Sequence, residues 1–199
     1  MVNNTYHSTK PRKLEYEEIL ASRLTEENAL TAQRHPVIGV LEDIRSLYNV
    51  GSCFRTADAL LLQRLVLTGY TPHPPRKEIS KTALGAERSV PWERTEDRLA
   101  AVKSLREEKY TLWGLELAEG ATPLDKLEEI PNRIALVIGN EISGICSETL
   151  ALCDGAISIP MYGVKHSLNI AVAFGIAMWH LVTQMKTDED RSENTDEQG

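Results

Sequence analysis

The hydrophobic positions at the start of the chain follow the spacing of helices. Apolar side chains recur at intervals of three and four over residues 13–32, which indicates helical structure. The sequence Thr25-Glu-Glu-Asn inside that stretch is typical of a helix start, so we expect two helices to meet there. The dipeptide His35-Pro36 ends the pattern, because a residue before proline is disfavoured in a helix.

Beyond Pro36, short apolar runs alternate with helical patterns. Predicted strands cover residues 37–41, 65–68, 111–117, 134–138 and 156–159. Predicted helices cover residues 51–62, 97–108, 147–153 and 168–186, with a helical turn at 123–129 and a long loop carrying one short helix at 70–91. Strands that are apolar throughout and alternate with helices indicate an α/β fold with a parallel sheet covered on both faces. Ligands of such sheets bind beyond the carboxyl ends of the strands.

The composition is that of one ordinary globular domain. The 199 residues are 42% hydrophobic and 26% charged. The longest apolar stretch, residues 170–182, is interrupted by Gly175 and His180 and is too short to span a bilayer. The first ten residues lack the apolar core of a signal peptide, so we expect a cytoplasmic protein without a membrane partner.

Charge and cysteine content restrict the function only weakly. The formal net charge is -7, and the acidic stretch from residue 186 onward carries two basic and six acidic side chains. A local basic patch remains compatible with this overall charge. The cysteines Cys53, Cys146 and Cys153 form no CxxC pair and have no histidine pair at zinc spacing, so we expect reduced thiols and no metal.

Three loops follow predicted strands and combine glycine with reactive polar side chains. The first contains Asn49, Gly51, Ser52 and Arg55. The first three residues suit the entry to a helix, where free backbone N–H groups can hold a phosphate. A cation such as Arg55 near a helix start opposes the helix dipole, and an anion would remove that cost. An ordinary capped helix with a surface ion pair at Arg55 explains the pattern equally well.

The second loop, Gly139-Asn-Glu-Ile-Ser-Gly144, follows the apolar run at residues 134–138. Its glycines permit a sharp turn or a close approach of the backbone to a ligand, and Glu141 is expected at the rim of the sheet. A strand-to-helix turn with a solvated glutamate is the plainer interpretation. The sequence contains neither the GxGxxG dinucleotide fingerprint nor a phosphate-loop GK[ST].

The third loop follows the last predicted strand. Pro160 ends that strand, Gly163 lies in the loop, and Ser167 and Asn169 open a long apolar helix. Ser167 is expected to be the N-cap of this helix. His166 is a candidate general base, although a lone histidine in a loop more often faces solvent.

In this order, the three loops resemble motifs 1, 2 and 3 of the SpoU/TrmH branch of the SPOUT RNA methyltransferases. Motif 1 is matched by Asn49-x-Gly51-Ser52-x-x-Arg55-Thr56-Ala57, motif 2 by Gly139-x-Glu141-x-x-Gly144, and motif 3 by Ile159-Pro-Met-x-Gly163 with Ser167-Leu-Asn169. No single motif is specific, but the three together are. The resemblance extends over residues 37–185.

The resemblance implies a mainly parallel sheet whose C-terminal segment forms a deep trefoil knot, and a homodimer that packs its knot regions together. It also implies S-adenosylmethionine (SAM) as the cofactor, held largely by backbone groups of the knot loops. The cofactor-binding residues carried over are Leu136, Val137, Ile138, Gly139, Gly144, Ile159, Pro160, Met161, Gly163, Ser167 and Leu168.

The activity implied by the resemblance is methyl transfer to a ribose 2'-hydroxyl of RNA. The catalytic residues carried over are Arg55, as the principal one, and around it Asn49, Glu141, Ser167 and Asn169. A ribose hydroxyl must lose a proton as it attacks the methyl group, and no metal is required. Two roles stay open for Arg55. It is either a general base or, since guanidinium is normally protonated, a group that binds the adjacent phosphate and stabilises the developing alkoxide.

The resemblance also bears on the substrate and on domain organisation. We predict an N-terminal helical extension at residues 1–36, a SpoU-type methyltransferase domain at 37–186 and an acidic, disordered tail at 187–199. With no separate RNA-binding domain recognised, phosphate contacts are expected from the basic residues Lys10, Arg12, Lys13, Arg23, Arg76, Lys77, Lys81, Arg88 and Arg94. Compact relatives often act on tRNA, so tRNA is preferred over rRNA as the substrate.

Other functions remain open. An enzyme of the same fold that methylates a base would not need the pattern of Asn49 and Arg55. A catalytically silent RNA-binding protein would not need every matched polar residue, and a Rossmann-type nucleotide-binding enzyme would carry the glycine fingerprint. Methylation of rRNA is the alternative to methylation of tRNA.

Overall fold

The predicted alternation of strands and helices forms one parallel sheet. A computed structural model of the chain describes residues 12–196. Its strands are β1 His35–Glu42, β2 Leu62–Thr68, β3 Trp92–Thr95, β4 Thr111–Leu115, β5 Thr122–Pro123, β6 Ile134–Ile138 and β7 Gly155–Ser158. The described strands pair in parallel throughout, in the order β3-β2-β1-β6-β4-β7-β5. The expected α/β architecture with a parallel sheet is therefore confirmed.

Helices lie on both faces of this sheet. Their bounds are α1 Tyr16–Ala21, α2 Glu26–Thr31, α3 Leu47–Ala59, α4 Lys77–Ala83, α5 Ala86–Ser89, α6 Arg98–Glu107, α7 Ser147–Leu150 and α8 Ile170–Asp196, with a 3-10 turn at Leu124–Lys126. One apolar core joins the sheet to α3, α4, α5 and α8, and a second core joins it to α6. The two helices expected between residues 13 and 32 are present as α1 and α2.

Strand β1 shows why these strands are apolar at successive positions. Val37 and Leu41 belong to the core on the α3 and α8 side, whereas Ile38 and Val40 belong to the core on the α6 side. All four side chains are inaccessible to solvent. Because successive residues of a strand point to opposite faces, a strand covered on both faces must be apolar at every position.

Helix α3 begins earlier than its sequence pattern indicates. Its N-cap is Ser46, whose hydroxyl accepts the backbone N–H of Asn49 at 3.3 Å. The expectation that Asn49, Gly51 and Ser52 form the helix entry with free N–H groups is therefore wrong, because they lie inside the helix. Gly51 has another role. A Cβ at this position would overlap the carbonyl oxygen of Ile79, so glycine permits the close approach of α3 and α4.

The segment at residues 70–91 contains two helices where one was predicted, and it leads into strand β3, which was not predicted. Ile79 and Ala83 of α4 are buried in the core that also includes α3. Leu84 and Gly85 have φ angles of 52° and 97°, which end α4 and start α5. Tertiary packing of a few apolar residues forms these helices despite a sequence rich in proline and basic residues.

Helix α8 differs from its prediction at both ends. Asn169, and not Ser167, caps it, because the Asn169 Oδ1 accepts the backbone N–H of Ala171 at 2.9 Å. The helix continues to Asp196, although the acidic composition after residue 186 favoured disorder. Extending a packed helix needs no new nucleation, and glutamate and arginine are good helix formers. The last three residues of the predicted tail lie outside the described residues.

Between residues 12 and 196, no helix has both the length and the apolarity to cross a membrane.

Candidate functional site

A cleft of about 510 Å³ lies at the carboxyl edge of the sheet, where strands β4, β6 and β7 end. Parallel strands place their following loops at one edge, and ligands of such sheets bind there. The lining residues are Leu115, Glu116, Leu117, Ile138, Gly139, Asn140, Glu141, Ile142, Gly144, Ser158, Ile159, Met161, His166, Ser167, Leu168, Asn169, Ile170 and Ala173. The second and third motif loops therefore face the same cleft.

The turn after β6 forms one wall of the cleft, and its two glycines are required by its geometry. Asn140 and Gly144 exchange both backbone hydrogen bonds at 3.0 Å. A Cβ on Gly139 would overlap the backbone of Gly144, and Gly144 itself has a φ of 69°. The buried Asn140 side chain fixes the turn, because its Oδ1 accepts the backbone N–H of Ile142 at 2.8 Å.

Glu141 is exposed at the rim of the sheet, as expected, but its carboxylate is also bound to the start of α3. Its carboxylate accepts the backbone N–H groups of Arg45 at 3.1 Å and Ser46 at 3.3 Å, and the Asn49 Nδ2 donates to it at 3.1 Å. Burial alone would raise the pKa of Glu141, but these donors outweigh it and hold the pKa below its ordinary value. A carboxylate at a helix N-terminus is also stabilised by the helix dipole.

Asn49 links this carboxylate to the third motif. The Asn169 Nδ2 donates to the Asn49 Oδ1 at 3.1 Å, while the Asn169 Oδ1 caps α8. Glu141, Asn49 and Asn169 thus form one hydrogen-bonded chain across loops that are far apart in sequence. Three of the five residues expected to be catalytic are therefore in direct contact.

The other two expected catalytic residues are placed differently. Ser167 lies in the cleft lining beside His166, the histidine considered as a base. Arg55 is exposed on α3, outside the lining. It follows Asn49 by six residues, which turns its side chain about 120° away around the helix axis. Among residues 12–196, no hydrogen bond or ion pair engages the Arg55 guanidinium, so the alternative of an ordinary surface ion pair is not observed there.

The residues expected to bind the cofactor divide into two groups. Those in the cleft lining are Ile138, Gly139, Gly144, Ile159, Met161, Ser167 and Leu168. Leu136 and Val137 are fully buried within β6, with their side chains in the two cores of the protein. Pro160 and Gly163 lie in the third loop but outside the lining.

Strand β4 and the residues after it also contribute to the cleft, which the sequence pattern did not indicate. Glu116, directly after this strand, accepts the backbone N–H groups of Leu117 and Ile145, each at 2.9 Å. It thereby joins the loop after β4 to the turn after β6. The predicted strand, at residues 111–117, ran past Glu116, whereas β4 ends at Leu115, so the position of Glu116 at the carboxyl end of the strand was not recognised.

The basic residues expected to contact RNA are all exposed where the structure describes them. Lys13 and Arg23 flank α1, Lys77 and Lys81 lie on α4 with Arg76 as its N-cap, and Arg88 lies on α5. Arg12 pairs with Glu18 at 2.6 Å and Arg94 with Glu96 at 3.0 Å. Lys10 lies outside the described residues. The described part of the chain contains no group of three or more His, Cys, Asp or Glu side chains arranged to hold a metal ion.

Comparisons with known proteins agree with the motif assignment. The SpoU rRNA Methylase family profile matches residues 36–179. Over 158 residues the chain is 30% identical to the 23S rRNA (guanosine-2'-O-)-methyltransferase RlmB of Vibrio cholerae, covering 79% of this chain and 63% of that protein. The chain therefore spans less than two thirds of the length of this relative.

Two solved structures show the same fold. One is the SpoU methyltransferase AviRb from Streptomyces viridochromogenes in complex with the cofactor AdoMet, at a TM-score of 0.71 and 24% identity, covering 80% of this chain and 64% of that one. The other comes from a study of "the 2-OH methylation of C/U34 on tRNA", at a TM-score of 0.67 and 26% identity, covering 76% of this chain and 97% of that one. The family profile matches most of the chain, and all three motif loops are present. The chain therefore belongs to the SpoU rRNA methylase family.

Proposed function

We propose that this protein transfers a methyl group from SAM to a ribose 2'-hydroxyl of RNA. The observation that carries the proposal is the hydrogen-bonded chain of Glu141, Asn49 and Asn169 at the edge of the cleft. It joins the three motif loops of the family at one place. The RlmB relative, named as a guanosine-2'-O-methyltransferase, supports the same chemistry.

The cleft suits SAM in size and in the character of its lining. A volume of about 510 Å³ lies within the range of small-molecule sites. Ile138, Ile159 and Leu168 offer apolar surface, and the turn at residues 139–144 brings backbone close to the cleft because its glycines carry no side chains. When bound, SAM supplies an electrophilic methyl group.

Within this proposal each polar residue has a distinct role. Glu141 is committed to the start of α3 and acts as a positioning residue that fixes Asn49. Asn49 and Asn169 orient each other at the cleft edge. The exposed guanidinium of Arg55 is available to an RNA phosphate and to the oxygen that loses its proton during transfer. Ser167 and His166 line the cleft, where either can contact the substrate.

Ribosomal RNA is the better supported substrate. The RlmB relative is named for 23S rRNA, and the family profile is that of rRNA methylases. This favours rRNA over the tRNA substrate preferred from the compact sequence. A tRNA substrate remains the second candidate, since the structure from the study of tRNA methylation is covered over 97% of its length.

The proposal includes the knot and the homodimer of the family. The loop between β7 and α8 lines the cleft together with the turn after β6, and α8 then returns to pack against α3. Val172, Ile176 and Trp179 form an exposed apolar stripe at helical spacing on α8, as a helix at a subunit interface requires. Mechanical unfolding from the two ends tests the knot, because a tightened knot leaves the extended chain shorter than its contour length.

The activity is tested with tritiated SAM and separate pools of rRNA and tRNA lacking the modification, followed by digestion to nucleosides. We expect label in 2'-O-methyl nucleosides from rRNA, with little label from an Asn49→Ala variant. Lys103→Gln, on α6 at the opposite face of the sheet, is the control that keeps full activity. Label in a methylated base, or no transfer to either RNA by protein that binds SAM, would contradict the proposal.

A further inference from the structure

A second concavity of about 320 Å³ lies beside the cleft and is separate from it. It is lined by Ile44, Arg45, Leu47, Tyr70, Pro72 and Arg76. None of these residues lines the cleft, and only Arg76 was expected to contact RNA. We refer to these six residues as the Tyr70 groove.

The groove combines one aromatic ring with two unengaged cations. Tyr70 is 60% exposed, although its hydroxyl is held by the Asn140 Nδ2 at 2.8 Å. Arg45 and Arg76 are both exposed. Within the part of the chain that the structure describes, no hydrogen bond or ion pair engages either guanidinium. A ring fixed at its far end loses little conformational freedom when a flat ligand packs on it.

The groove is structurally continuous with the cleft. Asn140, which holds Tyr70, lies in the turn that forms the cleft wall. The backbone N–H of Arg45, a groove residue, donates to Glu141, a residue of the cleft lining, at 3.1 Å, so the groove and the cleft are in contact at this hydrogen bond. A polymer whose ribose reaches the cleft edge therefore passes the groove with a neighbouring unit.

We propose that the Tyr70 groove binds a nucleotide of the substrate RNA, with its base stacked on Tyr70 and its phosphates held by Arg45 and Arg76. This inference rests on the proposed RNA methyltransferase function and adds a subsite to it. Proteins bind unpaired bases by stacking them on aromatic rings and hold the backbone with arginine. The two guanidinium groups suit phosphates, which they bind in a bidentate manner.

Binding to a fluorescein-labelled, mixed-sequence single-stranded RNA of ten nucleotides tests the groove independently of catalysis. For Tyr70→Ala we expect binding weaker by about 5- to 150-fold, the range for loss of one base–aromatic stack. Tyr70→Phe keeps the ring and should bind within about twofold of wild type. Arg45→Gln and Arg76→Gln should each weaken binding and lower the slope of log K against log salt by about 1. Lys103→Gln makes the same charge change on α6 and should have no effect.

Further measurements separate the possible outcomes. Calorimetry with SAM should give an unchanged affinity for all four groove variants, which shows that the cleft is intact. An excess of guanosine monophosphate that displaces the labelled RNA at micromolar concentration would indicate a free-nucleotide site and overturn the proposal. Wild-type levels of RNA binding in Tyr70→Ala would also overturn it, as would a wild-type protein that binds no RNA. Retained RNA binding without methyl transfer would instead count against the proposed function alone.

Discussion

The Asn169 Nδ2 donates a hydrogen bond to the Asn49 Oδ1 across 120 residues of sequence, at 3.1 Å, while the single oxygen of the same amide side chain, Oδ1, caps helix α8. One side chain thus sets both the start of α8 and the position of Asn49, which is in turn bound to Glu141. The geometry of the cleft edge therefore depends on a helix cap as well as on the residues expected to be catalytic.

These two roles of Asn169 can be separated by substitution. Asn169→Ala removes the cap and the bond to Asn49, so we expect a loss of about 1–2 kcal/mol in the free energy of unfolding, measured with urea. Asn169→Asp keeps a capping oxygen but cannot donate to Asn49, so its stability should lie within about 0.5 kcal/mol of wild type. Both variants should lose most of the methyl transfer measured with tritiated SAM. Full activity in Asn169→Asp would show that the bond to Asn49 is dispensable.

Arg55 is expected to act on the RNA and not on the cofactor, because it lies on α3 outside the cleft lining. Arg55→Ala should reduce kcat for methyl transfer by at least about 100-fold, as for loss of a group that stabilises developing charge. Calorimetry should find SAM affinity unchanged within about twofold. Arg55→Lys keeps the charge, and partial recovery of kcat would support phosphate or alkoxide stabilisation. Normal turnover in Arg55→Ala would remove this residue from the mechanism.

Much of the fold could be predicted because the buried strands are apolar over runs of successive positions, as in residues 37–41 of β1 and throughout β6. The short strand β3 and the second helix between residues 70 and 91 could not be, since they depend on packing against α3 and β2 and not on a periodic pattern. Local propensity carries little information for elements this short.

The candidate site was predicted in its composition but only partly in its contacts. Glycine and polar residues after apolar strands indicated where Asn49, Glu141 and Asn169 lie, because parallel strands end at one edge. Their hydrogen bonds to each other join positions that are far apart in sequence, and no spacing rule predicts such pairs. The hydrogen bond from the Ser46 N–H to Glu141 also joins distant positions, so it was not predicted. In addition, Ser46, the N-cap of α3, lies before the recognisable motif that starts at Asn49.

Gly51 and Gly175 are both helical glycines with opposite expected sensitivity. A Cβ on Gly51 would overlap the Ile79 carbonyl oxygen, so Gly51→Ala should force α3 and α4 apart and lower the free energy of unfolding by about 2–3 kcal/mol. At Gly175 the nearest atom to an added Cβ is the Thr56 Oγ1 at 4.0 Å. Gly175→Ala should therefore be neutral or stabilising by up to about 1 kcal/mol. Thermal and urea unfolding of the pair checks the contrast, and equal effects would argue against close contact of α3 with α4.

The apolar stripe on α8 predicts how the proposed dimer is disrupted. Trp179 is 63% exposed in the single chain, and Trp179→Glu would place a charge within the proposed interface. Light scattering after size-exclusion chromatography should show a shift from dimer to monomer at micromolar protein. Gln184→Glu adds the same charge elsewhere on the exposed surface of α8 and should leave the dimer intact. A dimer that survives Trp179→Glu would place the interface elsewhere.

The lowered pKa of Glu141 predicts how the stability of the α3 start depends on pH. Burial raises this pKa, but the hydrogen bonds from the N–H groups of Arg45 and Ser46 and from the Asn49 amide lower it by more. The pKa of Glu141 in the folded protein therefore lies below the ordinary value of 4.5, and the carboxylate stays ionised to lower pH. The stabilisation is complete above that ordinary value and is lost as the pH falls through the lower pKa of the folded state.

Glu141→Gln removes the ionisable group but keeps an acceptor oxygen. We expect it to lower the free energy of unfolding by about 0.5–1 kcal/mol at pH 7, and the difference from wild type should shrink progressively below pH 4.5. Urea unfolding at several values of pH between 7 and 3 measures this, with Glu107→Gln on the exposed face of α6 as the control. A difference that stays constant down to pH 3 would mean that the ionised carboxylate does not cap α3.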